Sequence, residues 1–281
     1  MAAIGSGAAA KGLSLHVGLN EISTAHYGGP NRLEACINDA EAMEKLAAAQ
    51  GFTVLGVLRD AAGTRKAVKD GFAQAAATLK SGDAFLFTYS GHGSFVPDEN
   101  GDEPDKIDET WCLYDGMLID DEVYQMFEAF KPGVRIMLLL DCCHSGTAIR
   151  DFSIANPGVA PKRKRGLAAS AAKRTWMSNR AFYKDISDAA AGAKAVTVAG
   201  DIACTATLIS GCQDEEVSID DWPNGVFTAH VLSVWNDGAF QGTIEEFHAQ
   251  VLASMPGDQR PNLFTVGAAN PAFAAQRPFT V

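Results

Sequence analysis

The chain has 281 residues, 47% hydrophobic and 20% charged, with 34 acidic against 23 basic side chains and a net charge of −11. At roughly 150 residues per domain this length allows one large domain or two small ones, and the apolar content excludes a disordered chain. The acidic balance argues against nucleic acid as a partner, and no apolar run reaches the roughly 18 residues of a membrane span.

The start, MAAIGSGAAAKG, has no basic region ahead of an apolar core, so secretion is not expected. The six cysteines are too sparse for a disulfide scaffold and include no C-x-x-C pair, which favours a cytoplasmic protein without a structural zinc.

Residues 1–12 read as a flexible Ala- and Gly-rich tail. Strand-like and helical stretches then alternate: strand 13–19, helix 33–50, strand 52–58 and helix 64–80. The runs AFLFTY (84–89) and VRIMLLL (134–140) are almost wholly apolar, as parallel strands covered on both faces must be; residues 120–130 supply a helix between them. Residues 151–203 break the pattern and form a linker or excursion with some helix. The pattern resumes with strand 205–210, helix 225–235, a helix opened by Thr243 with Glu246 in capping-box position, and strand 262–266. This order predicts an α/β fold, an open, mostly parallel sheet with helices on both faces. Residues 13–281 form a single domain in which 13–150 and 204–281 share the sheet.

In such sheets chemistry gathers at the carboxyl ends of strands. Two polar blocks lie there, YSGHGS (89–94) and DCCHSG (141–146). Neighbouring parallel strands bring His92 and a cysteine side by side, as a thiol nucleophile with an imidazole partner requires. The glycines beside His92 expose backbone amides suited to an oxyanion. Either block alone reads better as a buried histidine or a small core thiol; the two together reverse that preference. A metal held by Cys142, Cys143 and His144 is the weaker reading, because adjacent side chains diverge.

With these two blocks and the later SGCQD (210–214), the sequence resembles the metacaspases, caspase-like cysteine peptidases, from about Leu13 to the C-terminus. The resemblance implies a caspase-like fold, His92 as general acid and base, Cys143 as nucleophile, and the amides of Gly93 and Cys143 as oxyanion donors. It also implies cleavage after Arg or Lys in protein or peptide substrates, by a monomer, through an S1 pocket of Cys36, Asp39, Ser90 and Asp141. Paired carboxylates in a partly dry pocket hold a guanidinium and reject an Asp side chain. Read without the resemblance, Asp39 serves equally well as a first-turn helix acid.

Residues 98–122 hold eleven acids and one base, a net −10 that accounts for nearly all of the chain's charge. Such crowding marks a solvated loop or a hard-cation site. An EF-hand starting at Asp98 fits poorly, since Glu103 stands where glycine is needed. The resemblance implies instead an activating Ca2+ on Asp108, Asp120 and Asp121, with Asp151 as the nearest candidate for a fourth ligand, one residue later than the expected spacing.

Residues 162–174 hold six basic side chains. A solvated loop is the plainest reading and a nuclear-localisation or nucleic-acid patch another; in a peptidase cutting after basic residues, the same loop is a self-cleavage site. Trp111, Trp222 and Trp235 read as core or pocket wall. Two further readings of the whole chain are a catalytically silent caspase-like scaffold and a calcium-binding regulatory domain.

Overall fold

The computed structural model describes residues 9–97, 107–143, 163–186, 202–213, 216, 218–257 and 259–281. Six strands form the central sheet: β1 (Gly12–Gly18), β2 (Thr53–Arg59), β3 (Ala84–Ser90), β7 (Arg135–Asp141), β9 (Thr205–Ser210) and β11 (Asn262–Gly267). Their order across the sheet is β11-β9-β7-β3-β1-β2. All neighbours run parallel except β11, which is antiparallel to β9. The open, mostly parallel α/β sheet expected from the sequence is therefore present, with one antiparallel strand at its edge.

The alternation of side chains along each strand sorts the core into two layers. Leu15, Val17, Phe85, Phe87, Ile136 and Leu138 face helices α3 (Arg65–Thr78) and α4 (Asp120–Glu128). Leu86, Met137, Leu139 and Ile209 face α2 (Cys36–Ala49), which follows the short α1 (Thr24–Tyr27), and α6 (Val226–Trp235) and α7 (Ile244–Ser254). All seven residues of β3 are buried, the condition its unbroken apolar run anticipates. On the α3 side Phe72 meets Phe85 and Phe87 with ring centroids 5.1 and 4.9 Å apart. Helix α7 starts as read: the Thr243 hydroxyl accepts from the Glu246 amide at 3.2 Å and the Glu246 carboxylate accepts from the Thr243 amide at 2.8 Å.

Two features depart from the sequence reading. The acid-rich stretch contributes to a second, three-stranded antiparallel sheet of β4 (Gly93–Pro97), β5 (Ile107–Leu113) and β6 (Gly116–Ile119); the acids at 98–105 lie outside the described residues. The excursion contains a short strand, β8 (Arg163–Lys164), paired antiparallel with β10 (Ile219–Asp220), followed by helix α5 (Ala169–Ser178). No described helix is long and apolar enough to cross a membrane.

Phe72 is 1% exposed at the centre of its aromatic cluster. Phe72→Ala is expected to cost about 3–5 kcal/mol, measured by denaturant unfolding at constant m-value.

Candidate active site

Strands β3 and β7 are in register so that Ser90 lies opposite Asp141 at their carboxyl ends. His92 and Cys143 each follow two residues later, which brings the two blocks to one place. Gly93 has no room for a side chain, since a Cβ there would lie 1.9 Å from the carbonyl oxygen of Cys143. That close approach explains the glycine directly after the histidine.

His92 is buried, and its Nε2 lies 3.1 Å from the carbonyl of Asn31. A carbonyl only accepts, so Nε2 carries the proton and Nδ1 keeps its lone pair. Nδ1 has no hydrogen-bond partner among the described residues. Burial pushes the imidazole pKa down to about 4, against the opposing pull of the Asn31 carbonyl. Cys143 is fully buried, its sulfur meets the Ser218 amide, and it packs against Cys212.

What buries this pair is the chain itself. The carbonyl oxygen of Arg165 accepts from the amides of both Gly93 and Cys143, at 2.9 and 3.0 Å, and the Arg165 amide donates to the Ser218 carbonyl at 3.0 Å. Upstream, β8 pairs antiparallel with β10 in a short two-stranded ribbon. The Arg165 side chain fills a pocket beneath. Its Nη2 is 2.7 Å from Asp39 Oδ2 and 3.0 Å from Asp220 Oδ1, while Nη1 is 2.8 Å from Asp141 Oδ2 and 2.7 Å from Ser90 Oγ. All four partners and the arginine are buried. Burial alone would lower the guanidinium pKa, but the surrounding carboxylates, Asp141 foremost, drive it well above its ordinary value.

Each carboxylate is held in turn. Asp39, in the first turn of α2, accepts from Asn224 Nδ2 and the Gly225 amide at 2.9 and 3.0 Å, and from Ser90 Oγ at 2.7 Å. Burial, opposed by Arg165, leaves its pKa raised. Asp141 accepts from the Thr228 hydroxyl at 2.7 Å and from Ser218 Oγ at 2.5 Å. Asp220 accepts from the amides of Glu34 and Ala35 at 2.7 and 3.2 Å. Gly225 walls the pocket; a Cβ there would lie 2.4 Å from the guanidinium.

The structure thus brings together His92, Gly93, Cys143, Asp39, Ser90 and Asp141, with Cys36 buried alongside and its thiol pKa pushed up by burial. Sequence reasoning missed Asp220, Ser218, Asn31 and the individual role of Arg165. The DDWP segment (220–223) was the available signal for Asp220, but only its Trp222 drew notice, and Trp222 is 70% exposed. The solvated-loop reading fails for Arg165, which is fully buried; Lys162 lies outside the described residues. Of the acids assigned to calcium, Asp108, near the start of β5, and Asp121, in the first turn of α4, are buried, and Asp120, which opens α4, is half-buried. Among the described residues no three His, Cys, Asp or Glu side chains gather closely enough to hold a metal, and Asp151 lies outside them.

Comparison with known proteins converges on one family. Residues 14–151 match the family model described as metacaspase, peptidase C14 domain. Metacaspase-1 of Yarrowia lipolytica is 29% identical over 237 residues, covering 74% of this chain and 51% of the yeast protein. Metacaspase-1 of Arabidopsis thaliana is 33% identical over 145 residues, 50% of this chain and 33% of the plant protein. The chain thus spans about half of the yeast relative's length and a third of the plant relative's. A crystal structure of a Geobacter sulfurreducens protein superposes with a TM-score of 0.86 at 45% identity, covering 96% of this chain and 99% of that one.

The buried, proton-poor imidazole has a direct readout. In Cys143→Ala protein, nitrogen-detected NMR is expected to show His92 protonated on Nε2 alone down to about pH 5, its second proton binding only near pH 4. Titration near the ordinary histidine value of about 6.5 contradicts the buried arrangement.

Proposed function

Because the chain belongs to the metacaspase family of C14 peptidases, we propose that it is a cysteine endopeptidase cleaving after arginine and, less well, lysine, and that it cuts its own chain after Arg165. The observation that carries this reading is Arg165 itself. Its carbonyl lies on two converging amides and its side chain lies in an acid-lined pocket, as the P1 residue of a substrate must.

The chemistry follows from the named atoms. His92 Nδ1, left free by the Asn31 contact, takes the Cys143 proton. The thiolate adds to the P1 carbonyl, and the amides of Gly93 and Cys143 stabilise the oxyanion. His92 then protonates the leaving amine, and water hydrolyses the thioester. The pocket favours arginine over lysine because two nitrogens of one planar fork are satisfied at once, Nη2 by Asp39 and Asp220 and Nη1 by Asp141 and Ser90. A lysine ammonium brings one nitrogen to the same partners.

We further propose calcium activation, supported by the acid-rich segment and by the buried Asp108 and Asp121 beside Asp120. These residues alone do not complete a cation site among the described residues, so no catalytic step is assigned to the ion.

Fluorogenic peptides with Arg at P1 are expected to be turned over and those with Asp are not, with all activity lost in Cys143→Ala. Equal turnover of Arg and Asp peptides, or none of either, overturns the peptidase reading. Asp220→Asn removes one charged contact to the guanidinium, so kcat/KM for Arg peptides is expected to fall roughly ten- to a hundredfold. Incubation of the full chain with calcium is expected to yield a fragment whose first residue is Gly166, absent from Cys143→Ala and Arg165→Ala; unchanged cutting under a chelator sinks the calcium assignment alone.

A further inference from the structure

Among the described residues, the two sides of the Arg165–Gly166 bond are anchored in different ways. Upstream, β8 contributes two residues and an exposed ion pair between Arg163 and Glu34, in addition to Arg165 itself. Downstream, the chain runs at once into the core. Gly166 bridges to Gly93, and the Leu167 amide donates to the Gly93 carbonyl at 2.9 Å. Leu167 is 2% exposed and, with Ala172 and Tyr183, belongs to the main core cluster. The Tyr183 hydroxyl accepts from the Met117 amide at 3.2 Å and meets His26 Nε2 at 2.5 Å, and Asn179 Nδ2 donates to the His26 carbonyl at 3.2 Å.

Cleavage after Arg165 leaves these downstream contacts untouched. The new amine of Gly166 is then one residue from Leu167, which is fixed to Gly93, whose own amide is one of the two oxyanion donors. In an ordinary hydrolase the leaving amine diffuses away and water takes its place. Here the leaving amine is tethered at the position it left, and a nucleophile held in this way competes with water far beyond its bulk concentration. Glycine is also the least hindered amine the chain could present.

We infer that the self-cut protein is a peptidyl transferase as well as a hydrolase, transferring peptides that end in arginine onto its own Gly166 amine. In the step, the neutral Gly166 nitrogen adds to the thioester carbonyl formed between Cys143 and a substrate's P1 arginine. The N–C bond forms and the C–S bond breaks. One amine proton passes to His92, and from there the Cys143 thiol is restored. No oxidant or further reactant is needed. Acting on the chain's own Arg165 acyl group, the same step reseals the cut, so loss of the upstream strand is what makes cleavage permanent. The inference rests on self-cleavage after Arg165.

The test uses self-cut protein and an N-acetylated peptide methyl ester with arginine at the ester, which acylates Cys143 without releasing a competing amine. Intact-mass and N-terminal analysis follow the fragment that begins at Gly166. The expected result is a mass gain equal to the acetyl-peptidyl group, on that terminus alone, with the modified fraction rising from pH 7 to 9 as the amine loses its proton. Rapid ester hydrolysis with an unmodified Gly166 terminus overturns the transfer while leaving self-cleavage intact. Peptide turnover with no fragment beginning at Gly166 overturns the self-cleavage reading, and the transfer falls with it.

Discussion

One arginine among three carboxylates organises this molecule. Arg165 carries one positive charge into a fully buried pocket whose walls, Asp39, Asp141 and Asp220, come from α2, the end of β7 and β10. Burying so many charges is tolerable only because each carboxylate is also hydrogen-bonded by fixed groups, among them the Gly225, Thr228, Glu34 and Ala35 amides. Removing the cation leaves three like charges at close quarters. A cation seated in the pocket offsets that repulsion, and here the Arg165 guanidinium supplies it.

That electrostatic demand fixes the backbone above it. With its side chain committed to the pocket, Arg165 has its carbonyl over the Gly93 and Cys143 amides and its own amide on Ser218. The parallel pairing of β3 with β7 sets both amides, and β10 sets Ser218's neighbour Asp220, so pocket and amides are parts of one scaffold. The fold's contribution is this rigid coupling between recognition of a side chain and placement of the adjacent carbonyl.

Much of this was legible in the sequence for a physical reason. The strands β3 and β7 declare themselves by unbroken apolar runs, and the polar blocks that follow stand out against them, so His92, Cys143, Ser90 and Asp141 could be named from the chain alone. Arg165 could not be singled out. It sits in a run of four basic residues that looks solvated, and its burial depends on partners up to 126 residues away in sequence. Asp220 was obscured similarly, since an acid before a Trp-Pro turn looks like loop chemistry until its strand pairing is known. The three-stranded sheet was hidden by composition: charge density around Ile107–Leu113 drew attention to ions, while Asp108 and Thr110 are in fact buried in a strand.

The complete burial of Cys143 beneath this segment also governs how the protein meets its chemical surroundings. Among the described residues, the Arg165 backbone lies across the neighbouring amides, and Cys212 and Ser218 flank the thiol. The same contacts that seat the Arg165 segment therefore also cover the thiol.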